Sequence, residues 1–307
     1  MSKRSSVYVM MSSYNGEHFI EEQIDSILNQ QGDFDIFLHI RDDHSTDQTK
    51  RILESYTKKY SNITWESGDN LGATRSFMKL IYGAGAFDYY AFSDQDDVWL
   101  PDKIQTALNL LCVEDKPALY SCMKIIVDSH LNPLGQKDTM PIPGILNAFF
   151  RRNAVSGCSM VYNHDFHKII SQIKFDWENG FHDGWAYKLA EVFGVNLFDT
   201  TPHILYRQHG GNVAGAKAQG WQLFREKIGR LKSFNPDKYR NPSIYAKYIV
   251  QQESVPIPSK YYDILTKIGA KNHTLADNLF ILRYQSMAKK PFYEYVWAGF
   301  RILMGWY

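Results

Sequence analysis

The first hundred residues alternate between short apolar runs and helical stripes, and this alternation restricts the fold more than any other feature of the chain. Apolar runs fall at residues 7–11, 35–40, 62–65 and 89–92. Between them, apolar side chains return at helical spacing. Ile20, Ile24, Ile27 and Leu28 mark the first interval, Ile52, Leu53 and Tyr56 the second, and Phe77, Leu80 and Ile81 the third. Strands alternating with helices of this length predict βαβ units, and so an α/β fold with a central, mostly parallel sheet flanked by helices. The punctuation agrees. Asn15, in Tyr14-Asn15-Gly16, is a candidate N-cap for the first helix. Ser45-Thr46-Asp47-Gln48 has the form of a capping box for the second, and Pro101 suits the first turn of a fourth, carrying Ile104, Leu108 and Leu111.

After residue 115 the rhythm changes. Strands are expected at residues 118–127, 155–161, 195–198 and 203–206, with a turn at Asn132-Pro133-Leu134-Gly135 and a helix following His182-Asp183-Gly184-Trp185. Beyond Gly215 the pattern is helical and polar, with loops near Asn235-Pro236 and residues 255–258. Two units are therefore expected, a nucleotide-binding domain over 1–215 and a helical extension over 216–307.

Composition removes several functional classes. The 307 residues carry a net charge of only +1, which implies no broad basic face and no nucleic-acid partner. Cys112, Cys122 and Cys158 are scattered and form no CxxC pair, so neither a zinc knuckle nor a disulfide framework is expected, and a reducing compartment fits best. The apolar run at residues 7–11 is too short for a secretory signal, and no run approaches the ~20 residues of a spanning helix. A cytoplasmic location follows as the expectation, with peripheral contact at the inner face of the membrane.

The chemistry concentrates in Ser93-Asp94-Gln95-Asp96-Asp97-Val98-Trp99. Three carboxylates follow directly on a strand, at the sheet edge where open α/β folds bind ligands. Carboxylates crowded there are unfavourable unless a cation neutralises them, and a divalent metal carrying a phosphorylated substrate answers that need. The segment is not an EF-hand loop, because Val98 and Trp99 stand where an oxygen ligand and a glycine are required. The bland alternative is a solvated helix N-terminus, where Asp is favoured by the dipole.

Several segments together resemble glycosyltransferase family 2, over roughly the first two thirds of the chain. Ser12-Ser13-Tyr14-Asn15 resembles the family's opening nucleotide motif. Arg41-Asp42-Asp43-His44-Ser45-Thr46-Asp47 resembles its Asp-Asp-x-Ser-x-Asp signature, and Asn70-Leu71-Gly72 with Arg75 its third segment. Ser93-Asp94-Gln95-Asp96-Asp97 resembles its extended Asp-x-Asp element, in wording similar to the bacterial rhamnosyltransferase-like branch. The resemblance implies a GT-A-type fold and an inverting, metal-dependent transfer of a sugar, rhamnose in the narrow reading. The donor would be a dTDP- or UDP-linked sugar and the acceptor a saccharide or lipid-linked sugar, in cell-surface polysaccharide synthesis.

The same resemblance implies a set of roles. Ser12, Tyr14, Asn15, Asp42, Asp43, Arg75 and Asp94 would contact the nucleotide sugar, with the two carboxylates after the second strand accepting from a uracil or thymine ring. Asp96, with Asp94 and His209, would hold Mn²⁺ or Mg²⁺. Asp183, in His182-Asp183-Gly184-Trp185, would be the catalytic base. Asp97, Trp99, Lys103, His182 and Trp185 would line the acceptor pocket or support it. Gly210 and Gly211, after His209, would let a loop close over the donor. Turn and cap chemistry is the competing reading for Asp42, Asp43 and Asp183.

The C-terminal stretch has its own pattern. Phe292, Val296, Phe300, Leu303 and Tyr307 share one helical face, Lys290, Glu294 and Arg301 the other, and Trp297 and Trp306 flank the apolar stripe. Two readings stand side by side: a helix in a membrane interface, or one packed on its own domain or on a second copy of the chain. Two functional alternatives also remain. A nucleotidyltransferase is disfavoured because Asn15-Gly16-Glu17 offers one glycine and an acid where a phosphate loop is needed. A catalytically silent sugar-nucleotide-binding or scaffold protein is separated from an enzyme only by turnover.

Overall fold

The computed structural model describes residues 4–136, 138–141, 143–150, 155–175, 180–209, 242–270, 274–285 and 302. The described strands are β1 (Ser5–Ser13), β2 (Phe34–Asp42), β3 (Ile63–Ser67), β4 (Tyr89–Ser93), β5 (Val98–Trp99), β6 (Ala118–Val127), β7 (Val161–Asn163) and β8 (Val195–Arg207). They form one sheet in the order β3-β2-β1-β4-β7-β6-β8-β5. Neighbours among β3, β2, β1 and β4 run parallel, as do β6 and β8; β7 and β5 pair antiparallel. The expected α/β architecture is the one observed.

Helices α1 (Ile20–Leu28), α2 (Thr49–Lys59), α3 (Ala73–Gly83), α4 (Lys103–Leu111), α5 (Ile145–Phe150), α6 (His164–Gln172) and α7 (His182–Phe193) cover the sheet. The helices α8 (Pro242–Gln251), α9 (Ser259–Gly269) and α10 (Leu275–Gln285) follow. Alternation along β1 divides the core. Val7, Val9 and Met11 join the layer of α1 and α4, whereas Met10 joins that of α3, α5, α6, α7 and the C-terminal helices. A strand buried on both faces needs apolar residues throughout, which is why β1 and β4 read as unbroken apolar runs. Parallel order brings the carboxyl ends of β1, β2 and β4 to one edge, and β8 ends beside them because it runs parallel to β6.

Local details differ from the sequence expectations for physical reasons. Asn15 does not cap α1, which begins at Ile20 after Phe19. Asn15 instead adopts φ 48°, and its Oδ1 accepts the Thr46 amide at 2.8 Å. Ser45 does not cap α2, which begins at Thr49; its Oγ accepts the Asn15 amide at 2.9 Å. Both side chains bind the β1–α1 loop to the β2–α2 loop. Residues 155–161 were expected as a strand, but a 3₁₀ turn (Gly157–Ser159) occupies most of the segment ahead of β7. The two expected late strands are one, β8. Its pairing with β6 jumps from Cys122↔Asp199 to Met123↔Pro202, so residues 200–201 bulge between them. Helix α6 was not anticipated because its cap, Asn163, is the last residue of β7; the Asn163 side chain accepts the Phe166 amide at 3.0 Å.

The proposed boundary at 215/216, Gly210, Gly211, the loop at Asn235-Pro236 and the amphipathic face from Phe292 to Tyr307 lie outside the described residues. Ile302, the one described position in that stretch, is buried in the α3–α7 core layer. Among the described residues no helix is long and apolar enough to cross a membrane.

Candidate active site

Two parallel-strand ends flank the end of β1, and each carries adjacent carboxylates. At the end of β2, Asp43 receives the buried Arg41 guanidinium and the amides of Leu71 (2.9 Å) and Gly72 (2.7 Å). It thereby fixes the turn that opens α3, where Gly72 stands at φ 77°. Arg41 also donates to Ser76 Oγ at 3.0 Å and to the Asp69 carbonyl at 2.9 Å, and Ser12 Oγ donates to Ser76 Oγ at 2.7 Å. Asp42 is fully buried. Its Oδ2 accepts from the Ser45 amide (3.1 Å) and Ser67 Oγ (2.9 Å), while its Oδ1 has no hydrogen-bond partner. Arg75 lies in the first turn of α3. Tyr14 is exposed on the rim, its amide and carbonyl clamped by the Gln95 side chain at 2.9 and 3.0 Å. A Cβ at position 16 would collide with that Gln95 side chain, so the clamp needs Gly16.

The end of β4 is finished differently. Asp94, Asp96 and Asp97 follow it, and among the described residues no lysine or arginine forms an ion pair with any of them. Asp96 Oδ2 lies 2.8 Å from His209 Nε2. Asp97 is 0% exposed; its Oδ1 accepts the Arg207 amide at 3.1 Å, its Oδ2 has no hydrogen-bond partner among the described residues, and the Cys158 thiol lies near the same carboxyl group. Burial, with the charges of Asp96 and Asp183, pushes the Asp94 carboxyl up from 3.8 to about 7. Burial beside Asp94 and Asp96 raises Asp97 well above the carboxylate range. A hard divalent ion uses one or two such carboxylates together with substrate phosphate oxygens. The mutual repulsion of the acids and the imidazole beside Asp96 suit the cation expected at this edge.

Asp183 reaches the same edge from the first turn of α7, close enough for its charge to act on Asp94. Its neighbour His182 is buried, stacked on Phe77 with ring centroids 3.9 Å apart, and burial lowers its imidazole to about 4. The ring is thus neutral at pH 7 and serves as a packed wedge that sets the start of α7. Gly157 makes room for it, since a Cβ there would lie 2.5 Å from His182 Nε2. Thr74 Oγ1 donates to the Gly180 carbonyl at 2.8 Å, binding the starts of α3 and α7 together.

Other expected site residues lie beneath the edge. Trp185 is fully buried and stacks on Phe175 at 4.6 Å. Trp99 is buried, and the Lys103 ammonium sits 3.3 Å from its ring centroid. Burial lowers Lys103 to about 8. All three lie beneath the edge, in the supporting place among the two roles expected for them.

Sequence reasoning passed over Arg207, Cys158 and Lys124. Arg207 is 2% exposed; besides Asp97 it reaches the Asp96 carbonyl (2.8 Å) and the Glu22 carboxylate (2.5 Å), and its guanidinium lies 4.6 Å from the Phe19 ring centroid. Lys124 donates to Ser156 Oγ at 2.7 Å and acts electrostatically on Asp94.

Comparisons with known proteins agree with this geometry. Residues 8–178, more than half of the chain, match the sequence profile described as Glycosyl transferase family 2. The dTDP-rhamnosyl transferase RfbG of Shigella flexneri is 33% identical over 243 residues, covering 75% of this chain and 81% of that protein. The UDP-Glc:alpha-D-GlcNAc-diphosphoundecaprenol beta-1,3-glucosyltransferase WfgD of Escherichia coli is 30% identical over 127 residues, covering 41% of this chain and 48% of its own length. The crystal structure of S. aureus TarS in complex with UDP-GlcNAc superposes with a TM-score of 0.56 at 14% identity, covering 98% of this chain and 91% of that one. A likeness at that identity speaks for the fold.

Proposed function

The chain belongs to glycosyl transferase family 2, and from that premise we propose that it transfers a sugar, with inversion, from a nucleoside diphosphate sugar to a hydroxyl of a saccharide or lipid-linked acceptor. The observation that carries the reading is the meeting of Asp94, Asp96, Asp183 and His209 at one sheet edge, drawn from β4, α7 and the end of β8. One end of this edge suits a nucleotide. Asp42 Oδ1, buried and unpaired, is the acceptor for a pyrimidine imide, while Asp43 positions the α3 turn. Ser12, Tyr14, Asn15 and Arg75 stand around that end as the remaining nucleotide contacts.

Asp183 takes the proton of the acceptor hydroxyl. The freed oxygen attacks the anomeric carbon opposite the diphosphate, positive charge develops on the sugar ring, and the bond to the diphosphate breaks with inversion. Asp96, Asp94 and His209 would hold a Mn²⁺ or Mg²⁺ ion, which would supply Lewis-acid neutralisation of the leaving diphosphate. His182 and Trp185 hold α7 so that Asp183 meets the acceptor, and Arg207 holds the acidic loop from behind. The similarity to RfbG supports dTDP-rhamnose as the donor. The name of WfgD, with its diphosphoundecaprenol-linked acceptor, supports a lipid-linked acceptor.

The test is nucleoside diphosphate release across a panel of nucleotide sugars, with and without divalent ion. Release from dTDP-rhamnose supports the narrow reading, and preference for UDP-glucose removes it. Asp183→Asn is expected to lower kcat by about 10²–10⁴-fold with donor binding unchanged. Turnover near wild type in that variant removes Asp183 as the base.

A further inference from the structure

We propose a second, inner cation site, built from Asp94, Asp97 and Cys158, that takes a thiophilic divalent ion such as Zn²⁺. One ligand atom from each residue lies within 4.8 Å of the other two. Asp97 and Cys158 are both 0% exposed, so the pocket they form is closed on its inner side. The second, independent observation is Asp97 Oδ2. It is fully buried and, among the described residues, has no hydrogen-bond partner, and its carboxyl group stands in the cluster with Asp94 and the Cys158 thiol. An unmet buried acceptor is destabilising, more so when charged, and a bound cation removes that penalty.

The donor set selects the ion. Mg²⁺ prefers an all-oxygen, near-octahedral shell with several retained waters, and a pocket closed on its inner side with a sulfur among its three ligands does not suit that shell. Zn²⁺ accepts carboxylate oxygen and thiolate sulfur together in a tetrahedral shell. With Zn–O of about 2.0–2.2 Å and Zn–S of about 2.3 Å, tetrahedral ligand atoms stand about 3.3–3.6 Å apart. The present spacing, at most 4.8 Å, therefore needs to close by about 1 Å. Binding releases the Cys158 proton to solvent, because the thiolate is the ligand. Two carboxylates and one thiolate then face the ion's two charges. Lys103 and Lys124, which both act electrostatically on Cys158, offset the remaining negative charge. Asp94 is only half-buried, so an ion enters past it, and the fourth position lies on that open side.

This site differs from the Asp96–His209 pair in donor chemistry and depth, and it shares Asp94 with that pair. Filling it draws Asp94 inward. Its test reads binding alone, so it stands or falls separately from the sugar transfer. The full chain, with excess Mg²⁺ present, is titrated with Co²⁺ and followed by near-ultraviolet absorption. A thiolate-to-cobalt charge-transfer band is expected. Zn²⁺ should displace it, Cys158→Ser should abolish it, and Cys112→Ser and Cys122→Ser should leave it unchanged. Asp97→Asn should weaken the apparent affinity about tenfold or more. Absence of the band in the wild-type chain, or its survival in Cys158→Ser, overturns the proposal. If either variant fails to fold, X-ray absorption on the Zn²⁺-loaded wild-type chain decides. One sulfur scatterer at about 2.3 Å is expected, and a shell of oxygen and nitrogen alone overturns it.

Discussion

On either side of β1 the sheet ends in neighbouring carboxylates, and the fold treats the two groups in opposite ways. Asp43 is met by a buried guanidinium and two backbone amides, and Asp42 by an amide and a hydroxyl, with Lys50 Nζ 3.8 Å away. Asp94 and Asp97 are crowded by other acids and a thiol, and their carboxyl groups are driven toward the protonated form. The residue type is the same; the difference lies in which partners the chain supplies. A carboxylate with internal donors behaves as a joint between loops. A carboxylate without them holds unbalanced charge at the ligand edge, for a partner that arrives from outside.

Removing the joint should have the largest effect, and on folding. Asp43→Ala leaves Arg41 buried without its anion and frees the Leu71 and Gly72 amides. A loss of about 3–5 kcal/mol is expected in denaturant unfolding. If stability stays within about 0.5 kcal/mol, the contrast between the two strand ends fails.

The converse change at the other end should spare the fold. Asp96→Ala is expected to lower kcat/KM by about 10²–10³-fold, equivalent to about 3–4 kcal/mol of transition-state stabilisation. Its unfolding midpoint should be close to wild type, because among the described residues Asp96 has no side-chain donor other than His209.

A pH titration sharpens the contrast further. Burial, then Asp96 and Asp183, place the Asp94 carboxyl at about 7 in the folded chain against 3.8 as its ordinary value. Between those values the unfolded chain has released a proton that the native chain retains, so stability falls as pH rises. Without divalent ion, thermal unfolding should show a loss on the order of 2–3 kcal/mol between about pH 4 and pH 7. Saturating Mg²⁺ should flatten that slope, and so should Asp94→Asn. A slope of the opposite sign, or one that survives Asp94→Asn, would locate the titration elsewhere.

The smallest effect is expected at Asp42. Asp42→Asn keeps its buried shape and one carbonyl acceptor, so the KM for the donor should rise about tenfold with kcat nearly unchanged, about 1.4 kcal/mol. A fall in kcat with KM constant would tie Asp42 to the chemistry and not to the base.

The same division explains what the sequence discloses. The parallel half was legible because each of its strands and helices is encoded within some thirty residues, and its carboxylates fall directly after apolar runs. Asp42, Asp43, Asp94, Asp96 and Asp183 could be named from local pattern and family likeness together. Arg207 and Cys158 could not, since neither carries a local signature. Cys158 matters because the 3₁₀ turn presses it against β4, and Arg207 because β8 runs parallel to β6. Trp185 and Lys103 occupy the supporting place among the two roles expected of them. A tryptophan and a lysine beside motif residues suggest contact with ligand, yet the helices carrying them turn both side chains into the core. Caps were misread at Asn15 and Ser45 because a side chain that suits a helix start also suits a bond between two loops, and only the fold decides which.

Arg207 carries a consequence for timing. It lies 110 residues after Asp97, whose carboxylate its amide meets. At a synthesis rate of about 5–20 residues per second, the acidic loop emerges about 5–20 s before that clasp exists. The nucleotide side of the sheet, whose contacts are near in sequence, can assemble in that interval. A nascent chain can thus form the β1–β3 side of the sheet first, and the clasp on the acidic loop closes only once the eighth strand has docked.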